Sequence, residues 1–122
     1  MRPEQLFLID ILQATEAINR SLRHRSFSEF EADEDVHDAT LFRLIAIGEA
    51  AARLPSAVRH RYPGVPWIDM IAFRNRAVHA YFAIDWRIVW DTAQHDIPLV
   101  HRHVAAILAE DYAAPSAESD LI

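Results

Sequence analysis

The 122-residue chain contains no cysteine, no lysine and only two glycines, and each shortage narrows what the chain can do. Without cysteine there is neither a disulfide nor a thiolate nucleophile, and nothing in the composition points to an oxidising compartment. Without lysine, Schiff-base chemistry and the phosphate-binding lysine of a Walker motif are excluded. Two glycines disfavour a turn-rich β architecture, and a hydrophobic fraction of 52% argues against disorder.

The chain also lacks a long apolar run. The residues before Leu6 lead into an apolar stretch that Asp10, Gln13 and Glu16 interrupt, which is not the pattern of a signal peptide. No run approaches the ~20 apolar residues that a membrane-spanning helix needs. We therefore expect a cytoplasmic protein that does not enter a membrane.

Positive charge is concentrated in one part of the chain. The net charge of −6 at first disfavours a nucleic-acid partner. Residues 53–81, however, hold five arginines and one aspartate and carry +4, whereas the rest of the chain carries −10. Residues 53–81, called the basic segment below, are therefore compatible with RNA as a partner.

Apolar residues recur at the 3.6-residue period of amphipathic helices, and no strand pattern competes with them. This period predicts helices over Pro3 to about Arg25, Ala39–Leu54, Ser56–Tyr62, from Trp67 to the break at Ile84-Asp85, and Trp86–Glu110. We expect one domain over 1–112, folded as an all-α up-down bundle of four to five helices, and a disordered tail over 113–122.

Two segments of this pattern need a specific interpretation. Residues 26–35 are polar and acidic, which predicts a loop in which Asp33 or Asp35 caps the next helix. Pro98 lies inside the last helix, so this helix should kink there, or end near Ile97 and restart.

Arg74 is the residue that packing alone explains least. At about 100° per residue it falls on the apolar stripe with Met70, Ala77, Val78 and Tyr81, which should face a core. A guanidinium cannot be neutralised, and burying it unpaired is costly. Arg74 therefore needs an anionic partner or lines an active cleft.

Glu49 is one candidate partner beside Asp69, because it lies among small residues in the second long helix, in the stretch 46–52. Small residues let two helices approach closely, so the carboxylate of Glu49 is expected to reach Arg74 or Arg76. We favour a structural ion pair over a catalytic acid at this position.

His79 follows Arg74 by five residues and supplies a second reactive group. Metal-free RNA cleavage needs a base for the 2′-hydroxyl proton, an acid for the leaving oxygen and a cation on the phosphate. A histidine that titrates near neutral pH and the fork of an arginine suit these roles. In one straight helix the two side chains lie about 140° apart. They converge only near a helix end or across a two-fold axis, and the second arrangement predicts a site at a homodimer interface.

By residue type alone, a structural alternative is favoured over catalysis. In this alternative Arg74 pairs with a carboxylate such as Glu49 or Asp69, while His79 donates to a backbone carbonyl. The reason is that single Arg-His pairs are common in helices that have no catalytic role.

Three neighbours are assigned supporting roles. Asn75 shares a helix face with His79 and either orients the imidazole, contacts a phosphate or is a surface amide. Arg76 is expected to assist Arg74 at the phosphate. Tyr81 either contacts substrate or accepts a modifying group through its hydroxyl, or is an ordinary core tyrosine.

A metal site is not expected, and neither is a cofactor. His101 and His103 are two residues apart and diverge on a helix, and Asp91 and His95 share a face but have no third ligand in sequence. The acidic run over 31–35 lacks the spacing of a calcium loop.

Several motifs occur together in one order along the chain. They are Gly48-Glu49-Ala50, Pro66-Trp67, Arg74-Asn75-Arg76-Ala77-Val78-His79-Ala80-Tyr81, Asp85 and Trp90. In this order, on a helical chain of this length, they resemble HEPN-domain proteins of the HepT type over roughly residues 5–110. The Arg-x4-His spacing alone is a weak signal, and the flanking motifs make it more specific.

The resemblance implies a helical bundle that dimerises and a metal-independent endoribonuclease, with Arg74 and His79 at the catalytic positions. HepT is the toxin half of a bacterial toxin–antitoxin pair of a type VII-like kind, and tRNA is one RNA substrate to consider. The implied partner is a minimal nucleotidyltransferase antitoxin that transfers AMP to the motif tyrosine, here Tyr81.

Two other interpretations remain open. The chain is alternatively a non-catalytic subunit that binds a nucleotide or a nucleotidyltransferase through the basic segment. It is otherwise a structural helical dimer, in which Arg74 is buried against Glu49 and no cleft is open.

Overall fold

The computed structural model describes residues 2–113 of the chain. Within that range the α-helices are α1 Pro3–Leu22, α2 Phe27–Ala32, α3 Glu34–Arg53, α4 Ser56–Arg61, α5 Trp67–His79, α6 Trp86–Asp91 and α7 Ile97–Asp111. A 3-10 turn spans Tyr81–Ala83, and a π-helical segment spans Thr92–Asp96. No strand occurs in the described range, which confirms the all-α class. Apart from residue 113, the predicted tail lies outside the described residues.

The loop predicted between the first two long helices is wrong, because α2 occupies most of it. Ser26 Oγ accepts a hydrogen bond from the backbone N–H of Glu29 at 3.2 Å, and the Ser26 N–H donates to Glu29 Oε1 at 2.9 Å. This reciprocal capping box starts α2, and fully buried Phe30 anchors the helix. Asp33 caps α3, as predicted, by accepting from Val36 at 3.2 Å, so α3 begins five residues before the predicted start.

Pro98 is accommodated by a change of helix type. Proline has no N–H, and its ring would clash with the carbonyl of Gln94 in a regular α-helix. The π-helical segment precedes this proline, which is in the first turn of α7. The α-helix does restart at Ile97, as predicted, but α6, the π-helical segment and α7 form one uninterrupted rod.

The long helices pack around a core to which each contributes. α3 packs between α1 and α5, and α1 also packs against α7. Two contacts show that α1 and α7 are antiparallel, because Gln5 Nε2 donates to the Tyr112 carbonyl at 3.3 Å and His101 Nε2 lies 3.8 Å from Glu16 Oε2. The most deeply buried apolar side chains are Leu8, Ile11, Ile18, Phe30, Ala51, Val100 and Val104.

An aromatic cluster holds the short helices onto this bundle. The ring of Phe30 on α2 lies 6.3 Å from that of Trp86 and 5.2 Å from that of Trp90, both on α6. Trp86 and Trp90 are half-buried and pack against the core, in agreement with the sequence interpretation. The connection between α5 and α6 is thereby fixed at the end where it enters α6.

Candidate active site on α5

The start of α5 is fixed by Trp67. Its indole N–H donates to the backbone carbonyl of Tyr62 at 2.9 Å, and its side chain is buried. Pro66 precedes this first helical residue and sets the direction in which the chain enters the helix. An anchored start determines which way every later side chain of α5 points.

Contact with Gly48 then sets how closely α5 approaches α3. A β-carbon at residue 48 would lie 2.4 Å from the Arg74 β-carbon and 2.6 Å from the Met70 carbonyl oxygen. Real β-carbons essentially never come this close to other heavy atoms. Only glycine therefore permits this helix crossing, and the crossing places the stem of Arg74 directly against α3.

Glu49, the next residue of α3, pairs with the guanidinium. Arg74 Nη1 lies 2.8 Å from Glu49 Oε2, and Arg53 Nε lies 3.2 Å from the other carboxylate oxygen. Arg74 Nε is buried and has no hydrogen-bond partner among the described residues. One carboxylate thus holds two arginines, and several N–H groups of Arg74 are left over. Arg53 was not predicted as a partner of Glu49, although its i,i+4 spacing from Glu49 is a recognisable signal.

Fewer residues of the predicted apolar stripe on α5 are buried than the helical period suggests. Met70 and Ala77 are buried as expected, and the Arg74 side chain is 25% exposed. Val78 and Tyr81, however, are 55% and 54% exposed. The expectation that these two face the core is wrong, because Tyr81 lies beyond the end of α5 and no helix in the described range covers Val78.

His79 is the last residue of α5 and is exposed together with Asn75 and Arg76. Because α5 is regular over Trp67–His79, the Arg74 and His79 side chains point about 140° apart and lie about 7.5 Å apart along the axis. Ala80 leaves the helix with φ −124° and ψ 35°, after the histidine rather than before it. The end of the helix therefore does not turn His79 towards Arg74 within one chain.

Large apolar side chains are exposed beside the Glu49–Arg74 pair. Ile68 and Val78 are 74% and 55% exposed on the side of α5 that carries Asn75 and His79. Phe42 is 71% exposed and lies two helical turns before Glu49 on the same side of α3. These three residues, called the apolar face below, form a surface that nothing in the described range covers.

Arg76 points away from Arg74, at about 200° around the helix. It lines a groove of about 430 Å³ between α3, α5 and α7, together with Asp69 and Phe73 of α5 and Asp96 of the π-helical segment. Arg76 is thus brought near His79, one turn further along, but not to the Arg74–Glu49 pair.

The 3-10 turn after α5 carries two exposed aromatic rings. Tyr81 and Phe82 lie edge to face, with ring centroids 5.8 Å apart and planes 83° apart. Phe82 is 101% exposed and Tyr81 54% exposed. The backbone N–H of Ala83 donates to the Ala80 carbonyl at 2.9 Å and closes the turn.

Potential metal ligands do not cluster in the described range: no three His, Asp or Glu side chains of residues 2–113 come together as ligands would. No helix in this part of the chain is long and apolar enough to cross a membrane.

Comparison with known proteins identifies a family and relatives for this chain. The family model described as ribonuclease HepT-like matches residues 11–107. A protein of Thermococcus cleftensis named as a probable ribonuclease HepT is 35% identical over 97 residues, which are 80% of this chain and 88% of that protein. A protein of Caldanaerobacter subterraneus named as a candidate RNase is 32% identical over 91% of this chain and 99% of its own length. No solved structure matches.

Proposed function

The chain belongs to the HepT-like ribonuclease family, and we propose on this basis that it is an endoribonuclease and the toxin of a type VII-like bacterial toxin–antitoxin pair. The proposed reaction needs no metal ion. Its substrate is RNA, with tRNA as the first candidate, and the attacking group is the 2′-hydroxyl of the ribose beside the cut.

His79 and Arg74 are the proposed catalytic residues. His79 takes the proton of the 2′-hydroxyl or returns one to the leaving 5′-oxygen, and it is accessible to solvent for either role. Arg74 donates to the phosphate while negative charge develops on it. The 2′-oxygen–phosphorus bond forms as the bond to the 5′-oxygen breaks, so the products carry a 2′,3′-cyclic phosphate and a 5′-hydroxyl.

The observation that carries this proposal is the position of the Arg74–Glu49 pair at the edge of the apolar face. Glu49 Oε2 holds the guanidinium at 2.8 Å, while His79 is exposed on the same flank. Exposed apolar side chains rimmed by polar groups mark interaction surfaces. A second copy on this face would bring the Arg74 of one chain towards the His79 of the other, which one chain alone does not achieve.

Binding of RNA is supported by the basic segment. Residues 53–81 carry +4 and include α4 and α5, so the positive charge of the chain lies on the elements that carry the site. Arg76 and Asn75 are proposed to contact phosphates next to the cut, Arg76 on the His79 side of α5. Phosphate contacts of this kind hold a strand without reading its sequence.

Regulation is proposed to act through Tyr81. Its hydroxyl is on an exposed turn and its side chain is 54% exposed, so a transferase has access to it. We propose a minimal nucleotidyltransferase antitoxin that transfers AMP to this hydroxyl. The added phosphate and base then lie beside His79 and obstruct the RNA.

A non-catalytic chain, either a partner-binding subunit or a structural helical dimer, is the second candidate, and one observation favours it. Arg74 already has a carboxylate partner in Glu49, so its half-buried positive charge is balanced without a phosphate. In the first case the apolar face receives a nucleotidyltransferase rather than a second copy, and in neither case does the isolated chain cut RNA.

The deciding experiment incubates total tRNA with the purified chain in excess EDTA. His79→Ala is tested beside it, and His95→Ala serves as the matched control because His95 is an exposed histidine on the π-helical segment. We expect cleavage by the wild type and by His95→Ala, with cyclic-phosphate ends, and none by a folded His79→Ala. Equal cleavage by all three would reject the mechanism, and no cleavage by unmodified wild type would favour the binding subunit.

A further inference from the structure

Phe82 is exposed to an extent that packing in the described chain does not explain. Its side chain is 101% exposed, while the turn that carries it is closed by the hydrogen bond from Ala83 to Ala80. The ring of Tyr81 contacts the Phe82 ring edge to face, with 5.8 Å between the two centroids. The ring is therefore presented to solvent from a short, hydrogen-bonded turn.

Phe82 follows closely in the chain after a cation and a proton-transfer group. Phe82 follows His79 by three residues, and Arg76 is one helical turn before that histidine. Arg76 and Ala83 line a shallow groove of about 220 Å³ at the end of α5, which continues to Ile84 and Ile88. A cation, a proton-transfer group and a flat apolar ring thus follow one another along the chain, from the last turn of α5 into the 3-10 turn.

We propose that Phe82 is a stacking platform for the RNA base next to the cut phosphate. This inference rests on the proposed function and adds the substrate-binding residue to it. Proteins bind single-stranded RNA by stacking its bases on aromatic side chains, which every base permits because each has a π face. With the base on Phe82 and a neighbouring phosphate on Arg76, the ribose between them is directed towards His79.

RNA fits this position better than a second copy of the chain does. The apolar face of Phe42, Ile68 and Val78 lies on the flank of α3 and α5, whereas Phe82 lies past the end of α5. A dry protein interface over Phe82 would also desolvate the adjacent Arg76 and His79, which are exposed and have no ion-pair partner among the described residues. A nucleotide supplies a phosphate for these groups and a flat base for the ring.

The platform predicts binding that depends on aromaticity rather than on base identity. A stacked base contributes about 1–3 kcal/mol, so losing it weakens binding by roughly 5- to 150-fold. The expected effect is on KM for a single-stranded RNA, with a smaller effect on kcat. Replacing the ring with a larger aromatic ring should preserve binding.

The test compares Phe82→Ala, Phe82→Trp and Leu6→Ala, the last being a control at an exposed apolar residue of α1. Steady-state cleavage of a short single-stranded RNA gives kcat and KM, and the same RNA with an abasic nucleotide beside the cut is measured in parallel. We expect Phe82→Ala to raise KM at least fivefold, Phe82→Trp and Leu6→Ala to match the wild type, and the abasic RNA to remove the difference between wild type and Phe82→Ala.

Binding without cleavage separates this inference from the proposed function. The RNA is made with a 2′-deoxyribose at the cut, which removes the attacking hydroxyl, and its dissociation constant is measured for each variant. Weakened binding by Phe82→Ala supports the platform even if the wild type never cuts RNA. An unchanged dissociation constant, or a loss of dimer mass in Phe82→Ala alone, would overturn it, the second because a second copy then covers the ring.

Discussion

Gly48 and Arg74 are in direct contact where α3 crosses α5, and a β-carbon on residue 48 would lie 2.4 Å from that of Arg74. The next residue of α3, Glu49, then reaches the guanidinium of the same arginine. The backbone of α3 therefore positions Arg74, and a carboxylate one residue away orients its charged end. This pairing explains why the Gly48-Glu49 element and the α5 motif occur together in one chain.

Gly48→Ala tests the helix crossing. The new methyl group meets the Met70 carbonyl oxygen at 2.6 Å, and because backbone cannot move aside cheaply, the helices must separate. We expect a loss of about 1–3 kcal/mol in the free energy of unfolding, measured by urea denaturation.

Gly64→Ala is the matched control for this variant. The heavy atoms nearest to its β-carbon would belong to the imidazole of His103, the first at 3.3 Å, and a side chain can turn away. We expect a change within about 0.5 kcal/mol. Equal effects of the two substitutions would show that the crossing is not as tight as the contact indicates.

Arg74→Lys tests whether the guanidinium acts on phosphate. Arg74 and Arg53 pair with the two oxygens of Glu49, at 2.8 Å and 3.2 Å, but only Arg74 is half-buried at the edge of the apolar face. A lysine keeps the charge and loses the fork. We expect Arg74→Lys to lower kcat on RNA by about 10²-fold or more, as loss of a transition-state donor does.

Arg53→Lys should leave the same rate within a few-fold. Circular dichroism and urea denaturation of both variants must show an intact fold for the comparison to count. A similar fall in kcat for both arginines would assign the effect to the ion-pair network around Glu49 rather than to phosphate binding by Arg74.

Tyr81→Phe tests regulation by AMP transfer. The substitution removes only the hydroxyl of an exposed side chain, so the fold and RNA cleavage should be unchanged. After incubation with a minimal nucleotidyltransferase and ATP, we expect the wild type to gain the mass of one AMP and to stop cutting, whereas Tyr81→Phe does neither. Tyr112→Phe, which alters a buried tyrosine, should still be modified. Modification of Tyr81→Phe to the same extent would place the acceptor elsewhere.

The all-α fold and the Arg74–Glu49 contact were accessible from the sequence because each depends on local pattern. Periodicity located the long helices, and small residues around Glu49 indicated a close helix approach. The Ser26–Glu29 capping box was also readable, since serine followed three residues later by glutamate is its usual signature, but the acidic composition around it favoured a loop.

Other features of the site depend on tertiary context and were not accessible. Apolar periodicity assigns Val78 and Tyr81 to a core because it does not report which faces find a partner, and both side chains are exposed. Periodicity likewise does not show that the Phe82 side chain is fully exposed, because it does not report which apolar residues find a partner. The π-helical segment before Pro98 resolves a steric conflict in a way that the proline alone does not specify.

Mixing two inactive variants tests whether the site is shared between copies. Arg74 and His79 diverge on one regular helix, so each active centre is proposed to combine the arginine of one copy with the histidine of the other. Arg74→Ala and His79→Ala should each be inactive as homodimers. A heterodimer of the two has one centre with both residues replaced and one centre with both residues intact.

After subunits exchange at random, half of the dimers are heterodimers and each has one intact centre, so mixing should restore about a quarter of the wild-type rate. Exchange is verified by native mass spectrometry with one variant tagged. Val78→Glu, placed in the apolar face, should prevent both dimerisation and recovery, whereas Leu6→Glu, at an exposed apolar residue on α1, should prevent neither. If the heterodimer forms and no activity returns, the arginine and the histidine do not combine across two copies. The proposal of a site shared through the exposed face of α5 would then be rejected.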